Sequence, residues 1–182
     1  MTPDDTTLVG CSVPRREDRA LVAGQGRYLD DIASPGGLHA AFLRSPYAHA
    51  TIGGADLDDI RAMPGVVAVY TAKELAALLP GGQRLATGLP SSSIAFALDR
   101  PILPEAEAVY VGEALAMVVA ETRAEAEDAA EAIDLDLDPL DPVADLESAA
   151  RDDAPRAHAP LPHNRLASFG FDYGDIGAAF DG

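Results

Sequence analysis

The chain has 182 residues, of which 48% are hydrophobic, so one ordinary domain with a sizeable core is expected. The formal net charge of −17 excludes nucleic acid and anionic membrane surfaces as partners, because phosphate binding needs clustered Lys and Arg. A single cysteine, Cys11, excludes an internal disulfide and any iron–sulfur cluster that this chain holds alone.

The N-terminal residues 1–20 are polar, and we expect them to form an extension. They contain no basic region followed by an apolar run, so no secretory signal is predicted. No segment approaches the length of a spanning helix. These features predict a cytoplasmic protein without membrane insertion. Lys73 is the only lysine among 13 basic residues, which is typical of a GC-rich bacterial genome.

The first strands are predicted on both sides of a proline. Residues 38–44 follow the turn signal Pro35-Gly36-Gly37 and are typical of a strand. Pro46 interrupts this strand because it cannot donate a hydrogen bond to a ladder, and residues 49–52 then resume an extended pattern. We therefore expect a bent hairpin over residues 38–52.

The next elements alternate between helix and strand. Residues 56–63 indicate a short helix with aspartates in its first turn, where the helix dipole favours them. The β-branched run at residues 66–70 predicts a buried strand. Thr71 and Glu74 have capping-box spacing, which predicts a helix start and a helix through Leu79.

The second half begins with a long loop, residues 80–104, rich in Gly, Pro and Ser. Two strands follow at residues 108–112 and 115–120, and then a helix with a second capping box at residues 122–132. An alternating strand at residues 133–137 and a short helix at residues 143–150 come last. This order predicts an α+β domain with its helices on one face of a sheet. The expected domain limits are 1–20 for the extension, 21–150 for the domain and 151–182 for an extended linker.

The C-terminal segment combines prolines with aromatic residues. Pro155, Pro160 and Pro162 oppose helix and sheet. We expect residues from about Asp152 onward to stay outside the compact domain and to lie along a partner. The aromatic residues beyond the prolines have too little local chain to form a core of their own.

Glycines and histidines are the first candidate site residues. Gly24 and Gly26 lack the third glycine and the preceding strand of a dinucleotide fingerprint, so a turn is favoured. His39 and His49 fall on adjoining predicted strands, but no third metal ligand has a credible spacing, and a structural role is favoured. His158 and His163, in the proline-rich segment, are expected to face solvent or another chain.

Acidic residues and the cysteine complete the candidates. Cys11 stands beside Arg15 and Arg16, but no base or orienting group accompanies it, so an inert thiol is favoured. Glu113 joins two apolar strands, where it caps a turn, pairs with an arginine or faces a partner; no second acid–base group is evident. The acidic run 121–131, continued by Asp134, Asp136 and Asp138, is expected to be a solvated surface without the loop spacing of a calcium site. No catalytic, cofactor-binding or metal-binding residue is predicted.

Several segments, taken in order, resemble the N-terminal part of the molybdopterin-binding large subunit of xanthine dehydrogenases, aldehyde oxidases and carbon monoxide dehydrogenases. The most distinctive is 38–52, which contains Phe42-Leu43-Arg44-Ser45-Pro46-Tyr47-Ala48-His49-Ala50. The other matching segments are 9–18, 24–32, 64–66, 110–113, 124–130, His163-Asn164, Gly174-Asp175 and Ala179-Phe180. One departure is Ala114-Leu115, where the family commonly has Pro and Val after the glutamate.

The resemblance implies the α/β-hammerhead fold, a mixed sheet with two or three helices and a protruding bent hairpin, here 38–52. It also implies a non-catalytic structural subunit or domain of a molybdenum hydroxylase that oxidises a heterocycle or aldehyde with water-derived oxygen. The family's molybdenum-site residues lie downstream of this segment, so no site residue is carried over. Molybdopterin-bound molybdenum, [2Fe-2S] clusters and FAD or another acceptor are expected in the complete enzyme, none of them bound by this chain alone.

The implied partners are a molybdenum-binding subunit or domain, an iron–sulfur subunit and a flavin subunit. Two alternatives stay open at this stage. One is a stand-alone acidic protein-interaction module derived from the same family. The other is a small independent enzyme that uses Cys11 or Glu113.

Overall fold

The computed structural model describes residues 10, 12–32, 34–79, 84–85, 94–96, 98–171, 173–174 and 180. The chain divides into two compact units, Met1–Gly37 and Leu38–Gly182. The domain limits expected for this chain, 1–20, 21–150 and 151–182, stay a prediction. Within the described residues, no helix has both the length and the apolar character needed to cross a bilayer.

The first unit contains a short helix, α1 (Asp18–Val22), and a 3₁₀ turn at Leu29–Asp31. Gly24 adopts a positive φ of 68° in the turn that ends α1, and Gln25 N–H donates to the Ala20 carbonyl at 2.8 Å. A glycine is the residue that adopts this left-handed conformation without strain. The turn predicted at Gly24 and Gly26 is confirmed.

The second unit contains eight strands and four helices among its described residues. In chain order they are β1 (His39–Arg44), β2 (Ala50–Ile52), α2 (Asp58–Arg61), β3 (Val66–Tyr70), α3 (Ala72–Leu78), β4 (Arg84–Leu85), β5 (Arg100–Pro101), β6 (Glu107–Ala108), β7 (Ala114–Ala120), α4 (Arg123–Glu131), β8 (Leu137–Pro139) and α5 (Leu146–Ala149). The α+β class is therefore confirmed.

The first sheet has the order β1-β7-β3, and both pairings are antiparallel. β7 is the central strand, and Met117 pairs with Phe42 on one side and with Tyr70 on the other. A bulge lies between Leu43 and Arg44, where β1 approaches its end.

The hydrophobic core lies between one face of the first sheet and helices α2 and α4. Its buried members are Leu57, Ile60, Val69, Ala116, Val118, Ala129, Ala130 and Ile133. Alanines on both β7 and α4 let the helix approach the sheet closely, which suits a core without Trp. The predicted capping boxes are present: the Glu125 carboxylate accepts from Thr122 N–H at 3.0 Å, and the Glu74 carboxylate accepts from Thr71 N–H at 2.9 Å.

The second sheet has the order β6-β2-β8, again antiparallel, and Ala50 pairs with both Ala108 and Pro139. β4 and β5 form a separate antiparallel pair inside the segment for which the sequence predicted only a loop. Of that segment, residues 80–83, 86–93 and 97 lie outside the described residues.

The predicted bent hairpin is wrong in its pairing. β1 pairs with β7, and β2 pairs with β6 and β8, so the two strands on either side of Pro46 belong to different sheets. The single mixed sheet is likewise replaced, among the described strands, by three antiparallel sheets. The chain turns between Arg44 and Ala50, and this turn carries it from one sheet to the next.

Two strand limits also differ from expectation. The strand predicted at 108–112 ends at Ala108, because Gly112 adopts a φ of 85° and the chain turns. The strand predicted at 133–137 overlaps β8 only at Leu137, since Ile133 is part of the core under α4. Five α-helices are described, where two or three were expected. Three of the five are short: α1, α2 and α5 have only four or five residues each.

The segment after α5 was expected to lie apart from the compact domain, but Ala159 N–H donates to Glu107 Oε2 at 3.3 Å, so part of the segment contacts the domain. The side chain of Asn164 accepts from Ala157 N–H at 2.8 Å and donates to the carbonyls of Ala149, at 3.2 Å, and Pro155, at 2.8 Å. Ala167 forms an antiparallel bridge with Ile94. The prolines do keep this segment out of helices, but polar contacts fold it back onto the domain.

Candidate functional site

The buried polar residues of the second unit gather where the chain passes between the first two sheets. Residues 45–49 connect β1 to β2, and residues 109–113 connect β6 to β7. The two connections are hydrogen-bonded to each other: Ser45 N–H donates to the Glu113 carbonyl, and Gly112 N–H donates to the Ser45 carbonyl, both at 2.8 Å. We call this region the sheet junction.

Side chains reinforce the sheet junction. Arg44 Nη1 donates to the Gly112 carbonyl at 2.8 Å. The Ser45 hydroxyl donates to the Tyr47 carbonyl at 2.8 Å and accepts from Tyr47 N–H at 3.1 Å. Ser45 is only 2% exposed, and its backbone N–H, its carbonyl and its hydroxyl all form hydrogen bonds within the chain. The sequence Arg44-Ser45-Pro46-Tyr47 thus forms a tight, fully bonded turn.

His49 is held in the sheet junction by two acceptors. Its Nε2 lies 2.7 Å from Glu107 Oε1, and its Nδ1 lies 3.1 Å from the Asp141 carbonyl. A carbonyl can only accept, so Nδ1 carries a hydrogen, and the Nε2–Oε1 contact then requires one further proton on the His49–Glu107 pair. Glu107 Oε2 also accepts from Ala159 N–H at 3.3 Å. The packed, hydrogen-bonded environment expected for His49 is present, and its structural role stays a prediction.

The other histidines do not join His49. His39 lies exposed on β1, in the first sheet, whereas His49 precedes β2 in the second. His163 is exposed and contacts the Phe96 ring edge-on at a centroid distance of 5.4 Å. His158 is half-buried beside the cleft described below. Within the described part of the chain, no group of three or more His, Cys, Asp and Glu residues has the geometry of a metal site.

Glu113 is the last residue of the connection between β6 and β7. It is 3% exposed, and its Oε2 accepts from Val109 N–H at 2.7 Å, across the turn that contains Gly112. The carboxylate therefore caps a turn, one of the three roles expected for it. The contacts of Glu113 show no base or nucleophile paired with it, so the geometry favours a structural role over general acid–base chemistry.

A cleft with a volume of about 640 Å³ opens beside the sheet junction. Arginines 84 and 100, acidic residues 107 and 113, and His158 contribute to its wall together with apolar residues of the C-terminal segment. Arg100 donates to the Tyr110 hydroxyl, and its guanidinium carbon lies 5.5 Å from the centre of that ring. The cleft mixes both signs of charge, and most of its polar groups are already bonded to one another.

The acidic surface lies on α4 and near β8. Glu127, Asp128 and Glu131 are exposed, as expected for a solvated helix face. Asp134 and Asp136 border a shallow depression with residues 54–56, and Asp136 N–H donates to the Gly54 carbonyl at 3.2 Å. Cys11, the one thiol, lies outside the described residues.

The donor groups of the chain decide whether it can hold the cofactors of the family that it resembles. A [2Fe-2S] cluster needs four protein ligands, of which at least two are cysteine thiolates, and the sequence supplies one cysteine. The described histidines lie apart or are bonded internally, as His49 is. These residues do not fit an iron–sulfur cluster.

The family model for the aldehyde oxidase and xanthine dehydrogenase a/b hammerhead domain matches residues 23–141. The chain belongs to this family. The matched range begins just after α1 and ends two residues beyond β8, so it includes both connections of the sheet junction. The family and the hammerhead fold inferred from the Phe42–Ala50 segment are confirmed.

Relatives match almost the whole chain. It is 38% identical to the nicotine 6-hydroxylase large subunit of Paenarthrobacter nicotinovorans over 98% of this chain and 21% of that protein. It is 35% identical to the carbon monoxide dehydrogenase large chain of Afipia carboxidovorans, over 81% of this chain and 17% of that protein. The chain therefore spans about a fifth of the length of these relatives.

Solved structures agree with the hammerhead architecture. Quinoline 2-oxidoreductase from Pseudomonas putida 86 superposes with a TM-score of 0.71 at 38% identity, covering 87% of this chain and 20% of that one. The aldehyde oxidoreductase from Desulfovibrio desulfuricans ATCC 27774 gives 0.74 at 30% identity, covering 88% of this chain and 18% of that one.

Sequence reasoning missed two residues that organise the hammerhead domain. Glu107 bonds both His49 and the C-terminal segment, and Asn164 bonds three backbone groups of residues 149–157. Asn164 is the only asparagine of the chain and lies in a proline-rich segment, a position in which a side chain commonly bonds a turn. Glu107 carried no comparable local signal, because its partners lie 52 and 58 residues away.

Proposed function

We propose that this chain is a non-catalytic structural domain or subunit of a bacterial molybdenum hydroxylase of the xanthine dehydrogenase and aldehyde oxidase type. The observation that carries the proposal is the exposure of apolar side chains at the C-terminal end. Phe169, Phe171, Tyr173 and Phe180 are 62%, 94%, 98% and 85% exposed. A row of exposed aromatic rings indicates burial against another polypeptide.

The polar groups of the sheet junction support a structural role. Ser45, His49 and Glu113 are all buried, and each is bonded to groups of this same chain. Buried polar groups that are hydrogen-bonded within the chain rigidify a fold. Their arrangement positions the two sheets relative to each other.

The complete enzyme, in this proposal, contains molybdopterin-bound molybdenum, [2Fe-2S] clusters and FAD or another acceptor on other polypeptide segments. The partners are a molybdenum-binding subunit or domain, an iron–sulfur subunit and a flavin subunit, in the cytoplasm. The names of the relatives, which include a nicotine 6-hydroxylase, a quinoline 2-oxidoreductase and aldehyde oxidoreductases, support a heterocycle or an aldehyde as substrate.

The proposal is tested by purifying the chain through an affinity tag, once after expression alone and once from its native host. Molybdenum is measured by mass spectrometry of the metal, and molybdopterin by fluorescence after oxidation. We expect no molybdenum with the chain alone and one molybdenum per chain in the native preparation, together with oxidation of quinoline or benzaldehyde.

A test variant and a matched control each replace exposed apolar residues, at two different places in the chain. Phe171→Ser with Tyr173→Ser should lower molybdenum recovery from the native host at least tenfold, whereas Leu146→Ser, on α5 at 89% exposure, should not. A native preparation that contains this chain without molybdenum would instead support the stand-alone acidic module.

A further inference from the structure

The first sheet has one face that the described helices leave uncovered. Strand alternation places Ala40 and Phe42 of β1, Met117 and Val119 of β7, and Ala68 and Tyr70 of β3 on the same side. The opposite side carries the core residues Val69, Ala116 and Val118. We call the first set of six residues the open face.

Helix packing is confined to the core side of the central strand. Among the described helices, α4 is the one that packs extensively on β7, and its Ala129 and Ala130 join the same core as Val118. Phe42 is 44% exposed at the centre of the edge strand β1, and the other five residues of the open face are exposed or half-buried.

The six residues of the open face carry no formal charge themselves, and one cation borders them: the guanidinium carbon of Arg44 lies 5.5 Å from the centre of the Phe42 ring. The open face consists of aliphatic, thioether and aromatic side chains, and its one polar atom is the Tyr70 hydroxyl. The exposed carboxylates of α4, Glu127, Asp128 and Glu131, lie on the helix that covers the other side of this sheet. A three-stranded sheet normally buries both faces unless one is polar, so an apolar second face indicates a permanent partner.

We propose that the open face is the surface on which the molybdenum-binding remainder of the large subunit docks, through an apolar patch. We infer the docking partner from the length of the relatives. This chain accounts for 21% and 17% of two relatives that it matches over most of its residues. About four-fifths of the relatives' chain therefore remains to contact this domain. An apolar surface bordered by a single arginine suits such an obligate contact better than a transient one.

This inference rests on the proposed function and names the surface that serves it. Phe42 is the anchor, since it is the most exposed large side chain of the open face and aromatic side chains carry much of the binding energy of such contacts. Its exposed ring in the isolated chain is stabilised in part by Arg44, whose guanidinium carbon lies 5.5 Å from the ring centre.

The test compares Phe42→Asp with Leu146→Asp in the tagged full-length chain, purified from the native host. Circular dichroism and thermal unfolding of each variant expressed alone establish that it folds. We expect Phe42→Asp to lower the recovery of molybdenum and of the molybdenum-binding polypeptide at least tenfold, and Leu146→Asp to change neither by more than twofold.

A measurement on the unchanged protein covers the case in which Phe42→Asp does not fold. Hydroxyl-radical footprinting of Met117, Phe42 and Tyr70 is compared between the chain alone and the molybdenum-containing assembly. We expect at least fivefold slower oxidation of all three side chains in the assembly and an unchanged rate at Leu146.

The outcomes separate the two proposals. If the wild-type chain recovers molybdenum and the Phe42→Asp variant recovers as much, the docking surface is overturned and the proposed function stands. Footprints of the open face that stay unprotected in a molybdenum-containing assembly have the same meaning. Wild-type chain without molybdenum overturns both. A dimer of the wild-type chain that Phe42→Asp converts to monomer, seen by sedimentation, assigns the open face to a second copy and also overturns the proposal.

Discussion

Glu107 lies 2.7 Å from His49 through Oε1 and accepts from the backbone of Ala159 through Oε2, so one carboxylate joins the sheet junction to the C-terminal segment. His49 is 7% exposed and Glu107 16%. Removal of the imidazole leaves the half-buried Glu107 carboxylate with Ala159 N–H as its remaining donor and takes the Nδ1 contact from the Asp141 carbonyl. The loss of a hydrogen bond to a half-buried carboxylate is costly because water replaces the lost donor only in part.

We expect His49→Ala to lower the free energy of unfolding by about 2–3 kcal/mol, measured by urea denaturation at pH 7. His39→Ala, on exposed β1, should change it by less than about 0.5 kcal/mol. A double-mutant cycle with Glu107→Gln should show a coupling of at least about 1 kcal/mol. Additive losses would mean that the His49–Glu107 contact contributes nothing to stability.

Gly65 is required by both its backbone and its surroundings. Its φ is 75°, and a Cβ built on it would lie 2.2 Å from the carboxyl carbon of Glu125. Gly65→Ala should destabilise the chain by at least about 2 kcal/mol, through strain at positive φ and displacement of the Glu125 cap of α4. The matched control is Gly54→Ala, since a Cβ there meets nothing within 4 Å. Thermal unfolding of the two variants should differ by several degrees, and equal midpoints would contradict the crowding at Gly65.

The cap of α3 makes stability depend on pH. Burial raises the pKa of Glu74, but hydrogen bonds from Thr71 and the charge of Arg61, whose Nη2 lies 2.9 Å from Oε1, outweigh it and hold the pKa below its ordinary value. A lowered pKa in the folded state adds stability above the unfolded value of about 4.3, and this contribution disappears as pH falls through the folded pKa.

Glu74→Gln should therefore cost about 1 kcal/mol at pH 7 and progressively less as the pH falls from about 5 to 3. Urea denaturation at several pH values measures the difference. Glu131→Gln, an exposed substitution near the end of α4, should show no such loss at pH 7. A Glu74→Gln effect that stays constant down to pH 3 would assign the stabilisation to something other than the ionised cap.

Asn164 determines how firmly the C-terminal segment is held. In the wild-type chain we expect chymotrypsin to cleave first at Phe171 and Tyr173, which are almost fully exposed, while trypsin cleaves slowly at Arg156. Asn164→Ala removes three hydrogen bonds of the 149–164 loop, and cleavage at Arg156 should become about tenfold faster. Ser168→Ala serves as the control. Equal cleavage rates at Arg156 in all three proteins would show that Asn164 does not hold the segment.

The sequence by itself determined the local features of this hammerhead domain. The boxes Thr71–Glu74 and Thr122–Glu125 located two helix starts, because a cap and its partner lie three residues apart. The β-branched run Val66–Tyr70 located a strand, and the acidic face of α4 followed from helical spacing. The family was recognisable from several segments taken in order, of which Phe42–Ala50 is the most distinctive and lies in the matched range 23–141.

Only the tertiary structure decided which strands pair and which polar groups meet. The alternation of β1 and β2 was compatible with a hairpin, yet β1 found its partner in β7, about 75 residues further along the chain. His49 and Glu107 are 58 residues apart, and Asn164 meets Ala149 across 15 residues. Spacing along a chain reports neighbours within a turn or two of a helix or strand. Partners this distant are selected by the packing of apolar faces and by the cost of leaving buried polar groups unpaired.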